Sequence, residues 1–239
     1  MRLTDFSILS FDCYGTLIDW ETGIWNALQP LLVQAKGTIT REQALAAFGE
    51  TEPEIEHEHP GLLYREILTR AHRAMSERWN LSSSATLDAA FGDAVGNWPT
   101  FPDTPGALLW LKQHYKLVIL SNVDRQSFAA TNIKLGVTFD AVCTAEDIGS
   151  YKPDTRNFDY LLNTVARLGH GKSDLLHVAQ SLYHDLEPAE RMGIRRCWIN
   201  RRNDHGTGSG ATKAVSRVPT LDFQFPSLGA FADAALTTV

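Results

Sequence analysis

The most constraining feature of this chain is a recurrence: a short apolar run, a polar residue directly after it, then a helical pattern. The runs lie at residues 6–11, 116–120, 141–144, 175–179 and 196–200. Helical patterns lie at 105–114, 126–135, 156–168 and 188–192. Apolar strands alternating with helices predict a doubly wound α/β core, with a parallel sheet covered by helices on both faces. In such sheets ligands bind at the carboxyl ends of the strands. Asp12 follows the first run, Ser121 and Asn122 the second, and Gln180 and Ser181 the fourth, so the fold should gather them.

One stretch breaks the alternation. Residues 19–97 carry helical periodicity without a convincing strand, in Ile24, Leu28 and Leu31, then Ala44, Leu45 and Phe48, then Ile67, Leu68, Ala71 and Met75. Two domains are expected: a core of residues 1–18 and 98–239, and a helical cap of 19–97 inserted over the crevice. Residues 203–212, polar and rich in glycine, read as a loop, and 221–236 as a short extended piece followed by a helix.

Charge and cysteines narrow the function. With 22 Lys+Arg against 28 Asp+Glu the net charge is −6, which argues against a nucleic-acid partner but not against a small anion in a local pocket. Cys13, Cys143 and Cys197 are odd in number and far apart, so neither a disulfide framework nor a zinc cluster is implied. No window approaches a membrane span, and no signal peptide is apparent. A cytoplasmic protein without membrane contact is expected.

The candidate chemistry begins at Asp12-Cys13-Tyr14-Gly15-Thr16, a carboxylate on a tight turn after a strand. It suits a nucleophile, with neighbouring N–H groups free to hold an anion, and equally a turn cap. Ser121-Asn122, Lys152 in Tyr151-Lys152-Pro153-Asp154, and Asp185 in Ser181-Leu182-Tyr183-His184-Asp185 continue the series. An Asp, Ser, Lys, Asp order on this sheet pattern resembles the haloacid dehalogenase superfamily, over residues 5 to about 202. The resemblance implies that Asp12 attacks the substrate and forms a covalent ester. It also implies that Thr16 orients the loop, that Ser121 binds the substrate anion, that Lys152 neutralises charge, and that Asp185 supports Lys152 or the hydrolytic water. A lysine near two carboxylates should keep both ionised. On a crevice loop it should be removable with little effect on folding.

Magnesium-dependent phosphatases of that superfamily carry a second aspartate two residues after the nucleophile and another in the fourth motif. Tyr14 and Gln180 stand there, and neither replaces a carboxylate on a hard cation. The Asp-x-Tyr-Gly-Thr form instead resembles the L-2-haloacid dehalogenase branch, as do Tyr151-Lys152-Pro153-Asp154 and Cys197-Trp198-Ile199-Asn200-Arg201. That implies hydrolytic dehalogenation of short 2-haloacids without a cofactor. Cys13, Tyr14, Ser121, Asn122, Gln180 and Ser181 would line the substrate, and Lys152, Ser121 and the N–H groups near Cys13 and Asn122 would hold its carboxylate. The alternatives are a phosphatase with an altered Mg²⁺ site and a carboxylate-binding homologue without turnover. The expected partners are a small anionic substrate and a second copy of the chain.

Two departures from that branch matter. The cap arginine that receives the halide has no counterpart, since Arg41 stands in a different context and 48–52 is acidic. The asparagine of the fourth motif, near the hydrolytic water, is also missing. These departures leave open a different leaving group, or a halide pocket that uses His57, His59 or His184. The tract 54–59, Glu-Ile-Glu-His-Glu-His, reads as a cap loop rather than a metal site.

Overall fold

Strands that are apolar along most of their length must be covered on both faces. The computed structural model of the chain, which describes residues 1–203 and 210–237, shows how this is done. Six parallel strands, β1 (Ile8–Phe11), β2 (Lys116–Ser121), β3 (Ala141–Thr144), β4 (Leu175–Ala179), β5 (Arg195–Ile199) and β6 (Phe223–Phe225), lie in the order β3-β2-β1-β4-β5-β6. Side-chain alternation splits their residues between two cores. Leu9, Phe11, Leu117, Ile119, Leu176 and Val178 enter one, while Ile8, Val118, Leu120 and Leu175 enter the other.

Between β1 and β2 the described chain forms only helices: α1 (Trp20–Leu32), α2 (Arg41–Glu58), α3 (Tyr64–Arg78), α4 (Ala85–Gly92), a 3-10 turn (Asp93–Asn97), and α5 (Thr104–Leu111). α6 (Arg125–Leu135), α7 (Ala145–Ile148), α8 (Thr155–Arg167), α9 (Glu187–Arg191) and α10 (Leu228–Leu236) follow. Phe158, Leu161 and Val165 of α8 close the second core. The two ends of the helical excursion are tied together. Ile18 bridges Thr100, and the Asp19 amide donates to the Pro99 carbonyl at 2.8 Å.

The sheet agrees with the expected order of elements, and the extended piece and helix near the end appear as β6 and α10. Of the expected loop at 203–212, residues 204–209 lie outside the described residues. Among those described, no helix is long and apolar enough to cross a membrane.

One sequence reading is corrected. The tract 54–59 is not a loop, because α2 runs on through Glu58, with His59 as its C-cap. Ala44, Phe48, Glu52 and Glu56 follow one another every four residues, and all are buried. The stripe that begins apolar therefore ends in two carboxyl groups on the same face. Acidic side chains at core positions hid the helical period.

α1 packs so closely on Trp98 that a methyl group on Gly23 would lie 2.2 Å from the indole Cγ. Trp98 is itself buried, so the ring has no room to retreat. Gly23→Ala is expected to destabilise the fold by about 1–3 kcal/mol through overpacking, read from the urea midpoint. An unchanged midpoint would mean that this contact is not made.

Candidate active site

The first strand delivers Asp12 to the carboxyl edge of the sheet. The Asp12 amide continues the ladder by donating to the Val178 carbonyl at 3.1 Å. The chain then turns sharply at Gly15, whose φ of +95° favours glycine. A side chain there would also press on Gln180 Oε1 at 3.0 Å and Trp20 Nε1 at 3.1 Å. The turn brings the Thr16 hydroxyl back to donate to Asp12 Oδ2 at 2.6 Å. The Gln180 amide in turn donates to Thr16 Oγ1 at 2.9 Å, linking the β1 and β4 loops.

Lys152 reaches into this junction. Its Nζ donates to Asp12 Oδ1 at 2.9 Å, Asp185 Oδ1 at 2.8 Å and the Leu120 carbonyl at 3.1 Å. Lys152 is 2% exposed, Asp12 6% and Asp185 0%, so the trio is dry. An ammonium has three N–H bonds, and all three are used. Lys152 is thus a fixed charge with no donor left for a substrate carboxylate, which corrects the expectation that it holds that group directly. Asn122 clamps its backbone, accepting from the Lys152 amide at 2.7 Å and donating to its carbonyl at 3.1 Å.

Asp185 sits on the π-helical turn Leu182–Leu186 after β4. His177 Nε2 lies 3.0 Å from its Oδ1, and Ser10 Oγ lies 2.8 Å from His177 Nδ1. Sequence reasoning missed Ser10, and weighed His177 only as a triad partner of Ser121, which the lack of a Gly-x-Ser-x-Gly elbow argues against. Their signal was a pair of polar residues inside otherwise apolar strands, both fully buried.

The trio does not treat its two carboxylates alike. Burial pushes Asp12 up from its ordinary value of 3.8, partly offset by Lys152, while the Asp185 charge adds to the rise. Burial acts on Asp185 too, but Lys152 and His177 hold it below the ordinary value. Lys152 acts on both carboxylates in the sense the sequence reading expected, lowering each against its burial, but the balance differs between them.

Beside the trio is a small cavity of about 40 Å³. Of the site residues predicted from sequence, Asp12, Tyr14, Ser121, Asn122, Lys152, Gln180, Ser181 and Asp185 line it. Thr16 stands behind Asp12, and the Cys13 thiol is packed in the core, because the extended backbone turns it opposite to Asp12. Cys13 therefore cannot touch a ligand through its side chain. The Ser121 hydroxyl is buried and has no protein partner, so it remains free to donate to a ligand. Tyr14 is directed elsewhere, its hydroxyl 2.9 Å from Thr131 Oγ1. No arginine is among the described lining residues; Arg41 is exposed and donates to Thr22.

The helical side of the cavity holds Glu52, Tyr64 and Trp20. Glu52 accepts from the Tyr64 hydroxyl at 3.0 Å, and Glu56 accepts from Asn122 Nδ2 at 3.3 and 3.4 Å. His184 completes the group, with one ligand atom from each of the three within 4.8 Å of the others. These are the described residues that could together hold a cation. The Mg²⁺ position of the phosphatases fits less well. Gln180 brings an amide oxygen, 3.4 Å from Thr212 Oγ1, and Tyr14 brings no carboxylate. Burial pushes His184 down to about 4, so its imidazole is neutral at pH 7.

Burial raises Glu52 from 4.5 to about 7, with only the Tyr64 hydrogen bond opposing it. The folded state thus holds this proton more tightly than the unfolded chain, so stability is full below pH 4.5 and falls as pH rises to about 7. At ~1.4 kcal/mol per pH unit, the loss is about 3 kcal/mol. Glu52→Gln does not titrate, and its stability should gain about that much on the wild type between pH 4.5 and 8, by urea unfolding. Parallel profiles would show that Glu52 is ionised throughout.

A family model described as haloacid dehalogenase-like hydrolase matches residues 6–193. An (S)-2-haloacid dehalogenase of Pseudomonas putida is 32% identical over 114 residues, 46% of this chain and 48% of that protein. The match thus spans about half the length of that relative. (S)-2-haloacid dehalogenase 4A of Burkholderia cepacia is 26% identical over 200 residues, covering 81% of this chain and 83% of the relative. Among solved structures, the L-2-haloacid dehalogenase of Xanthobacter autotrophicus with chloropropionic acid covalently bound superposes with a TM-score of 0.79 at 18% identity, over 98% of this chain and 100% of that one. With strand order, Asp–Lys–Asp geometry and a family match over most of its length in agreement, the chain belongs to the haloacid dehalogenase-like hydrolases.

Proposed function

We propose that this protein hydrolyses short 2-haloacids through a covalent ester on Asp12, without Mg²⁺. The observation that carries the reading is the bridging of Asp12 and Asp185 by one buried ammonium beside a cavity with room only for a small molecule. The names of the relatives and the covalently bound chloropropionic acid in the Xanthobacter protein favour the same chemistry.

The steps assign each residue one task. The helical segment 19–97 acts as the cap. The substrate carboxylate takes the Ser121 hydroxyl, a free donor of the wall. Asp12 attacks C2, the new C–O bond forms, and the carbon–halogen pair leaves with the halide. Thr16 and Lys152 hold the Asp12 oxygens in place during this step. Water then attacks the ester carbonyl. Two acceptors of the cavity-lining residues have no protein partner, Asp185 Oδ2 and His184 Nε2. His184, neutral at pH 7, takes the water proton and passes it to the departing hydroxyl oxygen. The second proton of the water leaves the regenerated Asp12.

Halide release from 2-chloropropionate tests the reading, assayed with EDTA and again with added Mg²⁺. Equal release under both conditions is expected. Release that needs Mg²⁺, or turnover of p-nitrophenyl phosphate alone, would contradict it.

Lys152→Ala should lower turnover by about 10²–10³ or more, as loss of a preorganised charge does. It should also cost about 3–5 kcal/mol of stability, because two buried carboxylates lose their cation. This departs from the expectation of a loop residue removable with little effect, because Lys152 is buried between the two carboxylates, and equilibrium unfolding of the variant decides between them. A variant with wild-type turnover would remove Lys152 from the site.

A further inference from the structure

The cavity beside Asp12 borders a second hollow of about 130 Å³, and the two share Trp20, Gln180 and Thr212. A water molecule needs about 10–15 Å³ of such space. The cavity, at about 40 Å³, thus has room for a few waters, and the hollow for roughly ten. The Thr212 hydroxyl donates to Gln180 Oε1 at 3.4 Å, so these two side chains form a partition between the spaces. The partition is braced. Ala211, the residue before Thr212, is buried, and its amide donates to Glu21 Oε1 of α1 at 2.9 Å. A methyl group on Gly49 of α2 would lie 2.7 Å from the Ala211 carbonyl oxygen, so backbone packs on backbone there. Residue 212 is held by the helical segment on one side and by the β4 loop on the other.

Strand order indicates which part of a substrate meets this partition. β2, β1 and β4 are neighbours in the sheet. Ser121 ends β2, Asp12 follows β1 and Gln180 follows β4. A carboxylate on Ser121 with C2 over Asp12 leaves the carbon chain to run on toward β4, where Gln180 and Thr212 stand. The halide, opposite Asp12, takes a different direction.

We infer that Thr212 is a specificity-determining residue: it stops the substrate's carbon chain, restricts the protein to 2-haloacids of two or three carbons, and separates them from a hollow that would hold a longer chain. This inference rests on the dehalogenase reading above and adds to it a substrate range. The hollow suits methylene groups, because its walls are mostly apolar and include the rings of Trp20 and Phe101. Its charged residues balance formally, Arg201 and Arg202 against Asp19 and Glu21. The arginines are engaged, Arg201 with Asp103 at 2.7 Å and with the Thr16 carbonyl at 2.9 Å, and Arg202 with Glu21. The Arg201 guanidinium also stacks 4.0 Å above the Phe101 ring. Nothing there calls for a second ionic group on the substrate. Each methylene that leaves water for such a wall is worth about fourfold in binding.

The test is kcat/KM for halide release from 2-chloropropionate and 2-chlorohexanoate, whose chain is longer by three methylenes. Wild type, Thr212→Gly, Thr212→Ala and Thr212→Val are compared, with the urea midpoint of each recorded. Wild type is expected to favour the shorter acid by at least about tenfold. Thr212→Gly should raise the ratio of hexanoate to propionate by about 30–60-fold, the worth of three methylenes. Thr212→Ala should shift it in the same direction by less. Thr212→Val keeps the bulk of the partition without its hydroxyl, so its ratio should stay near that of wild type. A ratio unmoved in folded Thr212→Gly and Thr212→Ala, or moved as far by valine as by glycine, would overturn the inference and leave the dehalogenase reading intact. So would a wild type that takes both acids equally, since the chain would then leave through the wider cleft of about 690 Å³ that meets the cavity at Lys152 and His184. No halide release from either acid by wild type would overturn both.

Discussion

An ammonium group buried between two carboxylates is the interaction on which the rest of this site depends. Three charges out of water are costly unless every hydrogen-bonding position is filled. Here Lys152 fills all of its own, on Asp12, Asp185 and the Leu120 carbonyl. The groups around the trio serve that geometry. Asn122 fixes the Lys152 backbone, Thr16 fixes the second Asp12 oxygen, and Ser10 and His177, paired on neighbouring strands, support Asp185. The parallel sheet makes this possible, because three adjacent strands, β2, β1 and β4, end at one edge. The result is an aspartate that cannot rotate away and a lysine that acts through its charge alone.

The opposite wall obeys different electrostatics. The strand side balances charge with charge, whereas the helical side holds Glu52 and Glu56 against neutral donors. The two walls of the pocket therefore differ in what faces their buried carboxyl groups: an ammonium on one side, a hydroxyl and an amide on the other. His184 stands with both sides, its ring close to the glutamates and its backbone on the turn that carries Asp185. A substitution on either wall thus changes the charge that the other must tolerate.

Much of this was legible in the sequence, and the exceptions share one cause. Apolar runs ending in Asp12, Ser121 and Gln180 were enough for the sheet and its active edge, since strand burial and ligand position follow from the same rule. Lys152 and Asp185 were reachable through their order along the chain. Glu52 and Glu56 were not, because acidic residues ordinarily mark a solvated face, and here they extend a buried stripe begun by Ala44 and Phe48. Ser10 and His177 were hidden for a related reason: one polar residue in an apolar strand reads as noise until its partner is known. The use of every Lys152 donor was likewise invisible, as it depends on three loops meeting within 3.1 Å.

The central claim is that Asp12 is bonded to the substrate before water arrives, and one measurement addresses it directly. In a single turnover of 2-chloropropionate in H₂¹⁸O with enzyme in excess, water attacks the Asp12 ester carbonyl and leaves its oxygen on the protein. Peptide mass spectrometry should then find ¹⁸O in Asp12 and unlabelled hydroxyl oxygen in the lactate, with neither label nor turnover in Asp12→Ala. Labelled lactate and an unlabelled Asp12 would contradict the account, because water would have attacked the substrate itself.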